Sequence, residues 1–182
     1  MVTRLNALLN NRRGVSAVEF AFVAPILLSV AMGMIELARF ALLTIKLQHA
    51  SSTLADLATR DQTLSAATLD SLFSAARHIL EPFDIQSNGR AIVTGFGQPA
   101  GQSARIFWQR AGAGSYAAAS ELGSAGGSPV KPDDLVLREG DTIVAAELYF
   151  RYEPWLLGFV PEMTLRKVAF YRPRFGGLTT LQ

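Results

Sequence analysis

Cysteine is absent from the chain. Its absence removes disulfides, thiolate nucleophiles and every metal site that relies on sulfur ligands. Histidine is almost as scarce. His49 and His78 each stand alone, without the His-Glu pairing at helical spacing that a zinc site wants. Both read as surface or packing residues, so neither a metal nor a cofactor is expected. Other catalytic signatures are missing as well. Gly95 and Gly97 are not followed by the Gly-Lys-Ser/Thr of a phosphate loop. Ser103, Ser115 and Ser120 do not sit in a Gly-x-Ser-x-Gly elbow. Asp133-Asp134 lacks the ligand spacing of a calcium loop. The expectation is a protein that is not an enzyme.

Charge is scarce too, at 18% of residues against 49% hydrophobic, which leaves ample material for a core. No acid precedes Glu19. The formal net charge is +2, but Arg4, Arg12 and Arg13 all precede Val15, so the chain from Val15 onward carries −1. The basic balance is therefore local, and it gives no reason to expect nucleic acid as a partner. The C-terminal cations Arg166, Lys167, Arg172 and Arg174, interleaved with Phe170, Tyr171 and Phe175, read as exposed positions of a sheet.

What is present in excess is an uncharged apolar run. Residues 20–35 contain no charged side chain, and Ser29 is their one strongly polar residue. With Val15–Val18 and Leu37–Ala38 the run reaches the roughly 20 residues that cross a bilayer as a helix. It exceeds the roughly 7–15 apolar residues of a secretory signal, and no Ala-x-Ala-type site ends it cleanly. The arginines before it predict a cytoplasmic N-terminus. Glu19 breaks the pattern of a plain anchor. An unpartnered carboxylate in hydrocarbon costs several kcal/mol, so it marks a functional position that needs a cation. Pro25 lies inside the run and deletes one backbone hydrogen bond. It reads equally as a neutral kink or as a local loosening of the helix.

The sequence Arg12-Arg13-Gly14-Val15-Ser16-Ala17-Val18-Glu19-Phe20, followed by Pro25 and by Met34-Ile35-Glu36-Leu37-Ala38-Arg39, resembles the TadE-like (TadE/TadG) pseudopilins of the Tad (Flp) type IV pilus system. The likeness covers roughly residues 12 to 60. It implies a basic prepilin leader over residues 1–14, with Arg12 and Arg13 at its end, and peptidase cleavage between Gly14 and Val15. It implies that Glu19, flanked by Phe20 and with Pro25 further along, pairs with the N-terminal amine of a neighbouring subunit during assembly. The Glu36 and Arg39 pair matches the Glu-x-x-Arg of that family, and its spacing puts both on one helical face at the outer membrane boundary. The partners so implied are other Tad pilins and pseudopilins, the prepilin peptidase, the inner-membrane assembly platform and the lipid bilayer. The location implied is the bacterial inner membrane, single pass, with a periplasmic head, or the pilus itself. A head larger than that of major Flp pilins points to a minor component. The alternative left open is an unprocessed, signal-anchored periplasmic binding or scaffold domain.

The remainder reads as follows. Residues 15–38 form the membrane helix and residues 39–60 its continuation, with Leu43, Leu47, Ala50, Leu54 and Leu57 as an amphipathic stripe. Residues 61–182 form the head. A break at Asp61-Gln62-Thr63 precedes a second helix whose apolar face is Leu69, Leu72, Phe73, Ala76, Ile79 and Leu80, stopped by Pro82. Strands are expected over 90–96 and 104–110. A Gly/Ala/Ser-rich flexible loop over 112–132 comes next. The period-two stretch Asp141–Tyr152 is the clearest strand, with Leu135–Arg138 as its hairpin partner, and a last strand runs over Met163–Tyr171. Trp155 to Pro161 is an apolar loop expected to cover the core; exposed, it would instead mark a protein or membrane contact. The fold class is α+β: a long N-terminal helix, a second helix and an antiparallel meander.

Overall fold

The computed structural model describes residues 14–155 and 160–182. Arg12, Arg13 and the rest of the basic segment before Gly14 lie outside the described residues, as do residues 156–159. The described chain is α+β. Helix α1 spans Val15–Ala58, α2 spans Ala66–Leu80 and the short α3 spans Ile85–Asn88. Strands β1 (Gly89–Gly97), β2 (Arg105–Gly112), β3 (Thr142–Tyr152) and β4 (Met163–Tyr171) follow. Contacts divide the molecule into two units. One comprises Met1–Arg39 with Pro154–Pro161, the other Phe40–Glu153 with Glu162–Gln182.

In the second unit the four strands form one antiparallel sheet in the order β2-β1-β3-β4. This is not a meander, because β2 and β3 lie on opposite sides of β1. The connection 113–141 carries the chain across. Leu135–Arg138 is consequently not a strand: β1 and β4 take both edges of β3. Leu135 and Leu137 pack as partly buried side chains instead.

The sheet is covered on both faces. One face meets helices, with Phe40 of α1 edge-on to Tyr152 at 5.2 Å. Phe83, just after α2, meets Phe150 at 6.2 Å. Along α1 in this unit, Leu43, Leu47, Ala50 and Leu54 are all buried, as the stripe predicts. Leu57, also assigned to the stripe, is half-buried. Lys46 Nζ caps the end of α2 by donating to the Ile79 carbonyl at 2.9 Å. Of the predicted α2 face, Leu69, Phe73, Ala76 and Leu80 are buried, whereas Leu72 and Ile79 are half-buried. Ser65 starts α2, its Oγ accepting the Thr68 N–H at 3.1 Å, a standard N-cap. The opposite sheet face carries a core of Phe96, Ile106, Leu122, Ile143 and Ala145. Leu122 belongs to the 113–141 connection, so that segment serves as the lid of the second core.

Close approach dictates one glycine. A Cβ on Gly114 would stand 2.0 Å from the Ile85 carbonyl oxygen and 2.2 Å from that of Gly89. Any side chain there pushes the start of the connection off the sheet.

Candidate functional site

The first unit holds the residues that the sequence singles out. Gly14 immediately precedes α1. Val15 opens the helix, and Glu19 lies one turn on, exposed. Phe20 is 68% exposed and Phe22 75%. Val23, Ile26, Leu27, Leu28, Val30, Met34 and Ile35 are exposed as well. Successive helical residues turn by about 100°, so exposure at 26, 27, 28 and 29 means that every side of the helix is bare there. A helix that is apolar all round belongs in an apolar surrounding. This is also the one helix among the described residues long and apolar enough to cross a membrane. Pro25 sits within the unbroken helix. Its missing N–H leaves the Ala21 carbonyl without its usual partner. Four residues on, Ser29 Oγ donates to the Pro25 carbonyl at 2.9 Å, a back-bond that tends to bend helices.

Glu36 and Arg39 end the uncharged run, and both meet a residue far away in sequence. Glu36 is 1% exposed. Its two carboxylate oxygens each lie 3.2 Å from the backbone N of Trp155, which donates to them. The Arg39 guanidinium stands 4.7 Å above the Trp155 ring centroid, a cation–π contact. Trp155 itself is 76% exposed, against the expectation of a core-covering loop; Val160, from the same segment, is buried. The reason is local. The N–H of Trp155 is used to hold the backbone down, and the ring is left facing outward under the arginine.

A second polar cluster lies in the other unit. Glu147 of β3 is fully buried. Periodicity alone predicts a half-buried strand here, but both faces of β3 are covered and Arg151 is its one exposed residue. Glu147 accepts from the Tyr149 hydroxyl at 2.8 Å and from Arg166 Nη2 at 2.7 Å. It also accepts from the Ser120 hydroxyl through a short contact and from the Glu121 N–H at 3.2 Å. Every donor needed to satisfy a buried carboxylate is therefore supplied. Burial, reinforced by the bond to Glu147, pushes the Tyr149 phenol up to about 12. Burial pulls the Arg166 guanidinium down, but its bonds to Glu147 and Tyr149 outweigh this and leave it raised. The carboxylate is fully buried and engaged by groups of the fold itself. It pins the 113–141 connection, expected from composition to be flexible, to the sheet.

The C-terminal cations are similarly engaged. Arg172 pairs with Asp141 at 3.2 Å and Arg174 with Asp56 at 3.0 Å. His78 Nδ1 is 3.1 Å from Glu81. No group of three metal-ligating side chains occurs among the described residues.

Sequence reasoning missed Glu147, and for the segment of Trp155 it favoured a core-covering loop over an exposed apolar surface. The signal for Glu147 was present as an acid inside the clearest apolar strand. Its partner was hidden until the register placed Arg166 opposite Tyr149.

The family model of TadE-like proteins matches residues 14–56, which contain Gly14, Val15, Glu19, Phe20, Pro25, Glu36 and Arg39. No curated protein and no solved structure matches the chain.

Proposed function

We propose, from the match of residues 14–56 to the family model of TadE-like proteins, that the chain is a minor pseudopilin that takes part in building a Tad-type pilus. The observation that carries this reading is the bare apolar helix with one carboxylate, Glu19, a single turn from Val15. In this reading a prepilin peptidase cuts between Gly14 and Val15, at the start of α1. The basic leader stays in the cytoplasm, α1 crosses the inner membrane and the second unit lies in the periplasm. Cleavage creates an α-amine on Val15. Glu19 then pairs with the amine of a neighbouring pilin or pseudopilin when the helices pack on the assembly platform. Losing the partner of a buried charge costs about 3–5 kcal/mol, enough to make registry strict.

The test is the N-terminus of the membrane-extracted protein, by intact mass and terminal sequencing, with and without the pilus system's peptidase. The expected result is a peptidase-dependent start at Val15. An intact Met1 beside active peptidase overturns the reading and leaves an unprocessed, signal-anchored domain. Glu19→Ala is expected to abolish assembly while leaving cleavage and membrane insertion intact.

A further inference from the structure

Trp155 is out of place for a tryptophan in a protein with a well-filled core. Trp108, the other one, is 7% exposed, with its indole N–H donating to the Leu178 carbonyl at 2.8 Å. Trp155 is 76% exposed, yet its position is fixed: Glu36 holds its N–H through both carboxylate oxygens and Arg39 lies over its ring. A large aromatic surface is thus presented outward, beside a cation, at the point where the uncharged run of α1 ends. Indole favours the boundary between hydrocarbon and water, with its ring among the glycerol and upper acyl groups. A guanidinium beside it matches lipid phosphate. The spacing agrees as well. From Val15 to Glu36 the helix rises by about 31 Å, one hydrocarbon thickness.

We propose that Trp155, held by Glu36 and stacked under Arg39, is an interfacial anchor that seats in the lipid headgroup layer and fixes the depth of α1 in the bilayer. The proposal rests on the reading that α1 crosses a membrane. The occupant of this surface is the bilayer, because the surface continues the apolar helix and joins aromatic to cation at the helix level where headgroups begin.

The test uses the full chain in vesicles of phosphatidylethanolamine and phosphatidylglycerol, carrying lipid-borne quenchers either near the headgroup or at the acyl-chain end. Subtracting the emission of Trp155→Phe from that of the wild type isolates Trp155, since Trp108 is common to both. The expected result is at least twofold stronger quenching by the shallow than by the deep quencher, and little by aqueous acrylamide. Arg39→Gln is expected to raise the acrylamide quenching. A separate reporter, Phe22→Trp in the Trp155→Phe background, checks the membrane reading and is expected to respond most to the deep quencher. If Phe22→Trp responds so while Trp155 is quenched by acrylamide like free indole, the anchor is overturned and the membrane helix stands. Quenching of Trp155 by neither agent overturns it in favour of a protein contact. Failure of Phe22→Trp to meet the deep quencher overturns both readings together.

Discussion

Glu147 sets the chemistry of the head at the level of single residues. Four donors from three segments converge on it: Tyr149, Arg166, Ser120 and Glu121. Truncation strands several of them at once. Glu147→Ala is expected to destabilise the protein by about 3 kcal/mol, since breaking a buried pair leaves an uncompensated charge. Denaturant unfolding in detergent, followed by near-ultraviolet dichroism, measures this; a loss below about 0.5 kcal/mol, the scale of an ordinary surface substitution, would show that the cluster is ornamental. Tyr149 gives the same cluster a pH signature. Its phenol ordinarily ionises near 10.0 and here is pushed up to about 12. Within that window the folded chain keeps a proton that the unfolded chain has released. The folded state binds more protons, so stability is full below the lower value and declines as pH rises toward the upper one. The denaturation midpoint is expected to fall across this window, and Tyr149→Phe to flatten part of the slope. None of this was legible from composition. Glu147 reads as the solvent side of an alternating strand, and only the pairing register and the covering connection reveal it as buried.

The elements differ in how well the sequence announces them. Helix α1 was legible almost to its ends, because a long uncharged run and a leucine stripe each fix a periodicity independently of tertiary context. Helix α2 was legible through its apolar face and through Pro82. The β2-to-β3 crossover was not, since no local pattern encodes which strand lies beside which. Helix α3 was missed because its four residues have too few positions to show a period. Its cap is nevertheless distinct: Asp84 accepts the N–H of Gln86 at 2.9 Å and of Ser87 at 3.3 Å. At the end of α1, Asp56 holds Arg60 at 2.7 Å and Arg174 at 3.0 Å. Hydrogen bonding to Ser87 lowers the Asp84 carboxyl below its usual range, and hydrogen bonding to Arg60 and then Arg174 lowers that of Asp56. Each binds its proton less tightly folded than unfolded. The stabilisation they give is present at neutral pH and is lost as pH falls from about 5 through the folded values. Asp84→Ala and Asp56→Ala are each expected to lower stability at neutral pH and to shrink the loss on acidification. An unchanged acid slope in both variants would remove these carboxylates as its source. Ser65→Ala, by deleting the α2 cap, is expected to cost about 1 kcal/mol at any pH.

At the scale of the whole molecule, the division into two units coincides with a division of physical tasks. Among the described residues, every buried hydrophobic side chain apart from Val160 belongs to the unit Phe40–Glu153 with Glu162–Gln182. The exposed apolar side chains from Val15 to Leu37 belong to the other. The first unit therefore presents the exposed apolar surface, with the candidate membrane span in it, and the second carries its own core and both faces of its own sheet. A chain beginning at Phe40 keeps the stripe Leu43, Leu47, Ala50 and Leu54 and the edge-on pair of Phe40 with Tyr152. It is expected to be soluble without detergent and to unfold cooperatively. It should also retain the alkaline loss assigned to Tyr149, since that cluster lies wholly within it. Size-exclusion chromatography and urea unfolding check this. Within that truncated chain, Leu47→Ala is expected to lower stability by about 2–5 kcal/mol, the cost of a cavity at a fully buried leucine. Aggregation of the truncated chain, or unfolding without a cooperative transition, would mean that the head depends on the segment before Phe40. A folded, soluble head that fails to enter the membrane or the pilus would locate the assembly information in the TadE-like segment. Glu19 and the Glu36–Arg39–Trp155 cluster would then be the residues on which to test it.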